Sequence, residues 1–376
     1  MSVYKVKTRM VRLGDYIEEV VLRLGSNTNI DISGINLEKG FIPTVANMNG
    51  INKSKYKLVS KDCFACNLMH IGRDVKIPIA YNQSNLAIAV SPAYYVFKIT
   101  DDKKGKVLGY YLEMLFTREE FGRLTWFHTD SSIRGNLLTS VFEDIQIPLP
   151  DIITQQELVD TYNGLKGLVK QNEALIQPLT KACQAYIVDC KKKYTEVELG
   201  KYIEEYDVRN SDNKIKAVKS VSVTKEFKDT NAKVDKNNLQ GYKLVPPSHL
   251  SYVQTTKNEK CFANALNTTD ETYVVTQVNK VIFSKDNNIL NIGYLHLIFK
   301  SVEFDRYALF NSWGSARETF DWDELCRVRI PLPTPKVQQA IVNLYNCAEE
   351  AKKIANEARV KMKTLCPALV QKAING

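Results

Sequence analysis

Residues Ile147, Pro148, Leu149 and Pro150, followed by Gln155 and Gln156, occur a second time as Ile330, Pro331, Leu332 and Pro333 with Gln338 and Gln339. Proline fixes φ and disfavours helix in the residue before it, so each quartet predicts the end of a strand with a helix able to start just beyond. From Leu158 the first helical run places Leu158, Tyr162, Leu165, Val169, Asn172, Ile176, Leu179, Cys183, Tyr186 and Cys190 at alternating spacings of four and three, a heptad seam. Its one polar member, Asn172, reads either as a register-fixing residue or as part of a solvated edge. The second run has its own seam at Leu344, Ala348, Ala351, Ala355, Ala358, Met362, Leu365 and Leu369, where alanine lets a partner helix come close. Two apolar stripes on one chain are buried most simply against each other, antiparallel. Pro178 and Pro367 lie inside the two patterns and are expected to kink or break each helix, leaving a long first segment and a shorter second one.

The repeat extends well beyond this motif. Val11, Leu13, Gly14, Tyr16, Ile17, Glu18 and Glu19 return as Val197, Leu199, Gly200, Tyr202, Ile203, Glu204 and Glu205 at an offset of 186, and Tyr56 to Val59 return as Tyr242 to Val245. Farther on, an offset of 183 pairs Tyr111, Leu112, Phe116, Glu120, Phe121, Arg123, Phe127, Ser132 and Arg134 with Tyr294, Leu295, Phe299, Glu303, Phe304, Arg306, Phe310, Ser315 and Arg317. Coincidences at two fixed offsets make the chain an internal duplication, with a net loss of three residues in a loop. Short strand candidates, such as Leu86 to Val90, Tyr94 to Ile99 and Tyr273 to Phe283, precede or surround a helical pattern from Gly109 to Phe116. The expected fold is α/β and internally duplicated. Two mixed α/β globules, 1–150 and 195–333, are separated by two long antiparallel coiled-coil helices, 151–194 and 334–376, with a pseudo-twofold axis across the helices.

At 376 residues and 44% hydrophobic content, the chain can bury two ordinary cores. No apolar run approaches the roughly 18 residues that span a bilayer, and Met1 to Met10 has charges without an apolar signal core. Eight scattered cysteines read as reduced thiols, and the expected location is the cytoplasm. Cys63 and Cys66 form the single CxxC pair, near His70; with no second pair, ordinary buried thiols are expected rather than a metal site. The net charge of +9 is divided as +4, +1, 0 and +4 over residues 1–150, 151–194, 195–333 and 334–376. A polyanion partner is permitted but must be met by local clustering.

The polar loops differ between copies while the framework repeats. The first copy carries Lys53, Lys55, His70, Arg73 and Lys76, and the second carries Lys257, Asn258 and Lys260, with Gln277 near a strand. Such side chains suit phosphates and base edges, arginine favouring guanine and asparagine or glutamine favouring adenine, and each also suits an ordinary surface. Ser131, Ser132 and Arg134, and in the copy Ser312, Ser315 and Arg317, place a cation among small hydroxyls before the last strand. This is either a DNA contact or a turn with a local ion pair. Lys191, Lys192 and Lys193 close the first helix, where cations suit the macrodipole.

No glycine-rich phosphate loop precedes a helix, and no HExxH or nucleophile elbow is present. The four histidines, His70, His128, His249 and His296, do not correspond at the repeat offsets. The chain also lacks an acidic-plus-lysine nuclease pattern and the Asn-Pro-Pro-aromatic signature of amino-group methyltransferases; Val245, Pro246, Pro247 and Ser248 have neither its polar start nor its aromatic end. A binding module is expected. The alternatives are a coiled-coil protein adaptor without DNA specificity and a stand-alone DNA nuclease or methyltransferase of unfamiliar pattern.

Two globules with differing loops, each ending in an IPLP-type strand, Gln-Gln and a long helix, resemble the specificity subunit of type I restriction-modification systems. The resemblance runs from Leu13, Gly14, Asp15 and Tyr16 through the terminal helix, departing at Lys201 where the first copy has Asp15. It implies two target-recognition domains, each reading half of a bipartite site in double-stranded DNA, and a chain that performs no catalysis itself. The helices would form the spacer and dock two modification subunits, which use S-adenosylmethionine to methylate adenine. Restriction subunits, ATP-dependent translocases and nucleases, join these in the cleaving complex. No cofactor is implied for this chain. An unbroken helix from Thr154 to Cys190 would be roughly 55 Å long, enough to hold two readers apart along a duplex.

Overall fold

A computed structural model of the chain describes residues 8–375 apart from 26–29, 45–46, 49, 70, 72–75, 131, 133–134, 231–232, 256–260 and 315–317, with side chains to residue 364. It divides into two compact units, Met1–Gln171 with Ile354–Gly376, and Asn172–Lys353.

In unit 1 the strands are β1 (Arg9–Arg12), β2 (Ile17–Glu19), β3 (Ser33–Ile35), β4 (Phe41–Pro43), β5 (Lys57–Val59), β6 (Cys63–Cys66), β7 (Ile79–Tyr81), β8 (Ile88–Val90), β9 (Tyr95–Ile99) and β10 (Gln146–Leu149). Helices α1 (Gly109–Thr117), α2 (Glu119–Phe127) and α3 (Thr139–Glu143) precede β10, and α4 (Ile152–Lys193) follows it. Unit 2 repeats the order with β11 (Glu196–Glu198), β12 (Ile203–Glu205), β13 (Lys219–Val221), β14 (Phe227–Asp229), β15 (Lys243–Val245), β16 (Leu250–Val253), β17 (Asn264–Leu266), β18 (Tyr273–Val275), β19 (Asn279–Ser284) and β20 (Arg329–Pro331). Its helices are α5 (Ile292–Phe299), α6 (Val302–Phe310), α7 (Trp322–Arg327) and α8 (Pro335–Asn375).

Pairing is the same in both units. A four-stranded antiparallel sheet has the order β2-β9-β6-β7 in unit 1 and β12-β19-β16-β17 in unit 2. Two-stranded ribbons β3-β4 and β5-β8 match β13-β14 and β15-β18. The proline-containing strand closes each unit by pairing with its first strand, Val11 opposite Ile147 and Val197 opposite Ile330. The register also locates the lost residues. Val90 faces Lys57 as Val275 faces Lys243, an offset of 185, so one residue is lost between β6 and β7 and two more in the loop before α1. The single-loop expectation is therefore corrected to two steps.

Each core is aromatic. Phe64, Phe97, Phe116 and Phe142 meet beneath the sheet of unit 1, and Phe262, Phe299, Phe304 and Phe320 do so in unit 2. Gly14 and Gly200 lie where the last short helix comes closest: an added Cβ would fall 2.9 Å from Glu143 Cβ and 2.7 Å from Cys326 Cβ. The repeated Leu-Gly pair thus follows from packing of α3 and α7.

The long helices depart from expectation in two ways. Helix is continuous through Pro178 and through Pro367, so neither proline breaks it. Pro178 removes one donor, and the carbonyl that loses the bond belongs to Ala174, which is exposed where solvent can satisfy it. Along the α4 seam Leu158, Cys183 and Cys190 are buried and Tyr162, Leu165, Val169, Asn172, Ile176 and Leu179 half-buried, but Tyr186 is 53% exposed while Ile187 is buried. A straight helix falls behind a strict heptad by about 20° per repeat, so after four heptads the inward position has slipped by one residue. On α8, Ala348, Ala351, Ala355 and Ala358 are buried, and Leu344 and Met362 half-buried. In unit 2, α4 runs toward the globule and α8 away from it, and Cys183 Sγ lies 3.8 Å from the Ile341 carbonyl oxygen, so their pairing there is antiparallel.

Candidate nucleic-acid interface

A loop is only as well placed as the frame behind it, and the frame is the same in both units. Gln155 is fully buried; its Nε2 donates to the carbonyls of Lys106 (2.8 Å) and Pro150 (2.9 Å), and its Oε1 accepts from Leu108 N–H at 3.0 Å. Gln338 does the same with Ile289 (2.8 Å), Pro333 (2.8 Å) and Asn291 N–H (2.7 Å). Tyr111 and Tyr294 donate to the carbonyls of Pro148 and Pro331 at 2.8 and 3.1 Å. Strand end, long helix and the start of α1 or α5 are thereby tied at one point. Gln156 and Gln339 are exposed.

Two further duplicated devices carry no local sequence signal. Asn82 holds its loop through the carbonyls of Val59 and Leu86 and the N–H of Ser84, as Asn267 does through Val245, Glu271 and Thr269. Lys39 and Lys225 sit in the β3-β4 and β13-β14 turns with φ of 67° and 62°, and each ammonium donates to the carbonyl at the end of the following helix, Phe116 or Phe299. Lys225 also meets Asp305 at 2.7 Å, whereas the corresponding position in unit 1 is Gly122. Burial, assisted by the like charge of Lys76, lowers Lys39 to about 8. Only the 186-residue offset, searched at single positions, could have flagged these lysines.

Of the expected DNA-facing residues, Lys53 lies half-buried in a short 3-10 turn before β5, and Lys76 is exposed before β7. Ser132 follows α2 and donates to Asp130, whose carboxylate also accepts from the N–H groups of Ser132 and Asn136, a turn-building role. Ser312 follows α6 and donates to the Ala308 carbonyl at 2.6 Å, as Thr129 does to Trp126 at 2.8 Å. Gln277 is exposed in the turn between β18 and β19. His70, Arg73, Ser131, Arg134, Lys257, Asn258, Lys260, Ser315 and Arg317 lie outside the described residues. The segment after α2 and α6 is where the described candidates fall at like places in both units.

Several cations are already neutralised. Lys57 pairs with Glu19 at 3.1 Å and Lys98 with Glu18 at 2.9 Å, while in unit 2 Lys243 pairs with Asp207 at 2.8 Å and Lys280 with Glu205 at 2.7 Å. Cys63 and Cys66 are both buried in β6 but belong to different clusters on opposite faces of the strand, so they cannot chelate one ion together. Burial pushes both thiols up. His296 is held neutral by burial, its pKa lowered to about 3, with Nδ1 2.8 Å from Asn264 Oδ1. It lines a 630 Å³ cavity of unit 2 together with Lys225, Lys300 and Tyr345. Among the described residues no helix is long and apolar enough to cross a membrane.

The sequence matches no protein-family model and no curated protein. Among solved structures, the type I restriction-modification system S subunit from M. genitalium superposes over 99% of this chain and 98% of that one, with TM-score 0.62 and 9% identity. The chain has the fold of that S subunit. The HsdS subunit from Thermoanaerobacter tengcongensis covers 100% of this chain and 98% of its own at 14% identity, but its TM-score of 0.41 carries no weight.

Proposed function

We propose that this chain is a DNA-specificity subunit: each unit reads half of a bipartite duplex target, and the chain positions catalytic partners without reacting itself. The observation that carries this reading is a frame duplicated down to single hydrogen bonds, as at Gln155 and Gln338, beneath loops that differ. Lys53 corresponds to buried Leu239, and Gln277 to Pro92. Packing has been kept where packing is common, and side chains have diverged where two different half-sites would be read. The partners on this reading are double-stranded DNA, two modification subunits carrying S-adenosylmethionine, and the restriction subunits of a type I complex. Methyl transfer requires the target base to leave the stack, and two readers gripping either side of it would hold the enzyme in place meanwhile.

The test replaces residues 20–140 with the corresponding part of a relative and maps methylation in cells. One half of the recognised site should change and the other stay. A change in both halves together would sink the two-reader model. Duplex binding by the isolated chain should weaken steeply with salt as phosphates release counterions, whereas a protein-only adaptor would bind no duplex.

Arg134→Ala and Arg317→Ala are each expected to weaken duplex binding by about 1–3 kcal/mol if the side chain reads a base, or to lower the salt slope by about one if it meets phosphate. Unchanged binding with a lower unfolding temperature would identify a structural ion pair instead.

A further inference from the structure

The cavity of unit 2 opens where the two units differ in sequence. Gly293, His296 and Lys300 stand three and four apart along α5 and its C-cap, hence on one face, and all three line it. Gly293 and Leu266 leave space at the places where unit 1 has Tyr110 and Tyr81, whose rings meet edge to face at 5.5 Å. The position of His296 is Glu113 in unit 1, which accepts from Gln83 at 2.6 Å, and that of Lys300 is Thr117. His296 is 7% exposed and neutral, its pKa lowered to about 3 by burial. Asn264 Nδ2 donates to the Phe262 carbonyl at 2.8 Å, which turns Asn264 Oδ1 toward the ring and puts the imidazole proton on Nδ1. Nε2 is then a bare lone pair with no hydrogen-bond partner among the described residues, and a buried acceptor of that kind selects for a donor.

One turn along, Lys300 Nζ donates to the Tyr345 hydroxyl at 2.8 Å and keeps two further N–H groups. An acceptor beside a donor calls for a ligand with a donor beside an acceptor, an N–H next to a C=O. Phe227 and Tyr273 supply aromatic wall for a flat ring. The lining ammoniums of Lys225, Lys300 and Lys353 are matched by the carboxylates of Glu226, Glu349 and Glu350, so nothing here favours an ion over a neutral molecule. At 630 Å³ the space is within the range of small-molecule sites, roughly 300–1,000 Å³. We infer that this cavity binds an uncharged lactam ring of the thymine or guanine kind, its ring N–H donating to His296 Nε2 and its C=O accepting from Lys300. Two sources share this chemistry, a free nucleoside and a base swung out of a duplex. The first stands whether or not the chain reads DNA.

The test titrates thymidine and deoxyguanosine into the full chain by calorimetry, with deoxycytidine and deoxyadenosine as controls because the matching edge of each presents a bare ring nitrogen beside an amino group. Wild type should bind thymidine or deoxyguanosine with a Kd on the order of 100 μM, usual for a ligand of that size, and the controls at least about tenfold more weakly. His296→Leu removes the acceptor, and Leu266→Tyr adds the ring that unit 1 has at that place; each should lose at least about tenfold in affinity. Should His296→Leu fail to fold, Leu266→Tyr still decides, since it leaves the Asn264–His296 bond intact. A duplex with one unpaired thymidine that displaces the nucleoside at lower concentration than a fully paired duplex would assign the ring to DNA, and equal displacement would assign it to the free nucleoside. Equal binding of all four nucleosides, wild-type affinity in Leu266→Tyr, or no heat from thymidine and deoxyguanosine at millimolar concentration would overturn the inference.

Discussion

Gln155→Leu is expected to destabilise unit 1 by about 3 kcal/mol, and Gln338→Leu to do the same in unit 2, because each change strands one buried main-chain group, at about 1–3 kcal/mol, and two part-buried ones that water reaches in part. In unit 1 these are Leu108 N–H and the carbonyls of Lys106 and Pro150. The neighbouring Gln156 is an internal control. It is exposed and bonds only along its helix, to Asp160 at 2.8 Å, so Gln156→Leu should cost less than about 0.5 kcal/mol. Two units in one chain need not unfold together, so the measurement is hydrogen exchange along urea titrations, read in α1 and α5. Equal costs for Gln155→Leu and Gln156→Leu would show that the clamp does not hold the strand-helix junction.

Asp305→Ala should be comparably severe. It leaves the Lys225 ammonium, whose side chain is 8% exposed, with only the Phe299 carbonyl, and deprives Phe262 N–H of its acceptor at 2.8 Å. Breaking a buried pair from one side costs about 3–5 kcal/mol, whereas adding Lys225→Met should recover part of the loss. A cost below about 1 kcal/mol for Asp305→Ala would refute the assignment. Unit 1 already lives without this carboxylate, and its lysine shows the consequence in pH. Lys39 is lowered from 10.5 to about 8, so the folded unit gives up its proton before the unfolded chain does. The burial penalty is in full force below about pH 8 and disappears as pH rises to 10.5, the direction required when the unfolded state binds more protons. Relative to Lys39→Met, wild type should therefore gain stability across that interval. A difference between the two that stays flat with pH would mean the ammonium is solvated.

The amino-acid sequence by itself determined the duplication, the strand-to-helix junction at each proline quartet and the alanine-lined stripe of α8. These rest on short-range rules: proline restricts its own φ and its predecessor, and the spacing of apolar residues sets which face of a helix is buried. The tertiary structure decided what those rules leave open. Two adjacent glutamines are alike as a string, and only the position of the loop before α1 made Gln155 a buried clamp and left Gln156 in water. Heptad counting chose Tyr186, but the accumulated lag of a straight helix put Ile187 inside. Lys39 and Lys225 look like surface lysines until a turn with positive φ aims them at the ends of helices far along the chain. Phe127 and Phe310 look like core residues, yet α2 and α6 turn them outward, because Phe121 and Phe304 already occupy the inward face of a helix that can bury only one side.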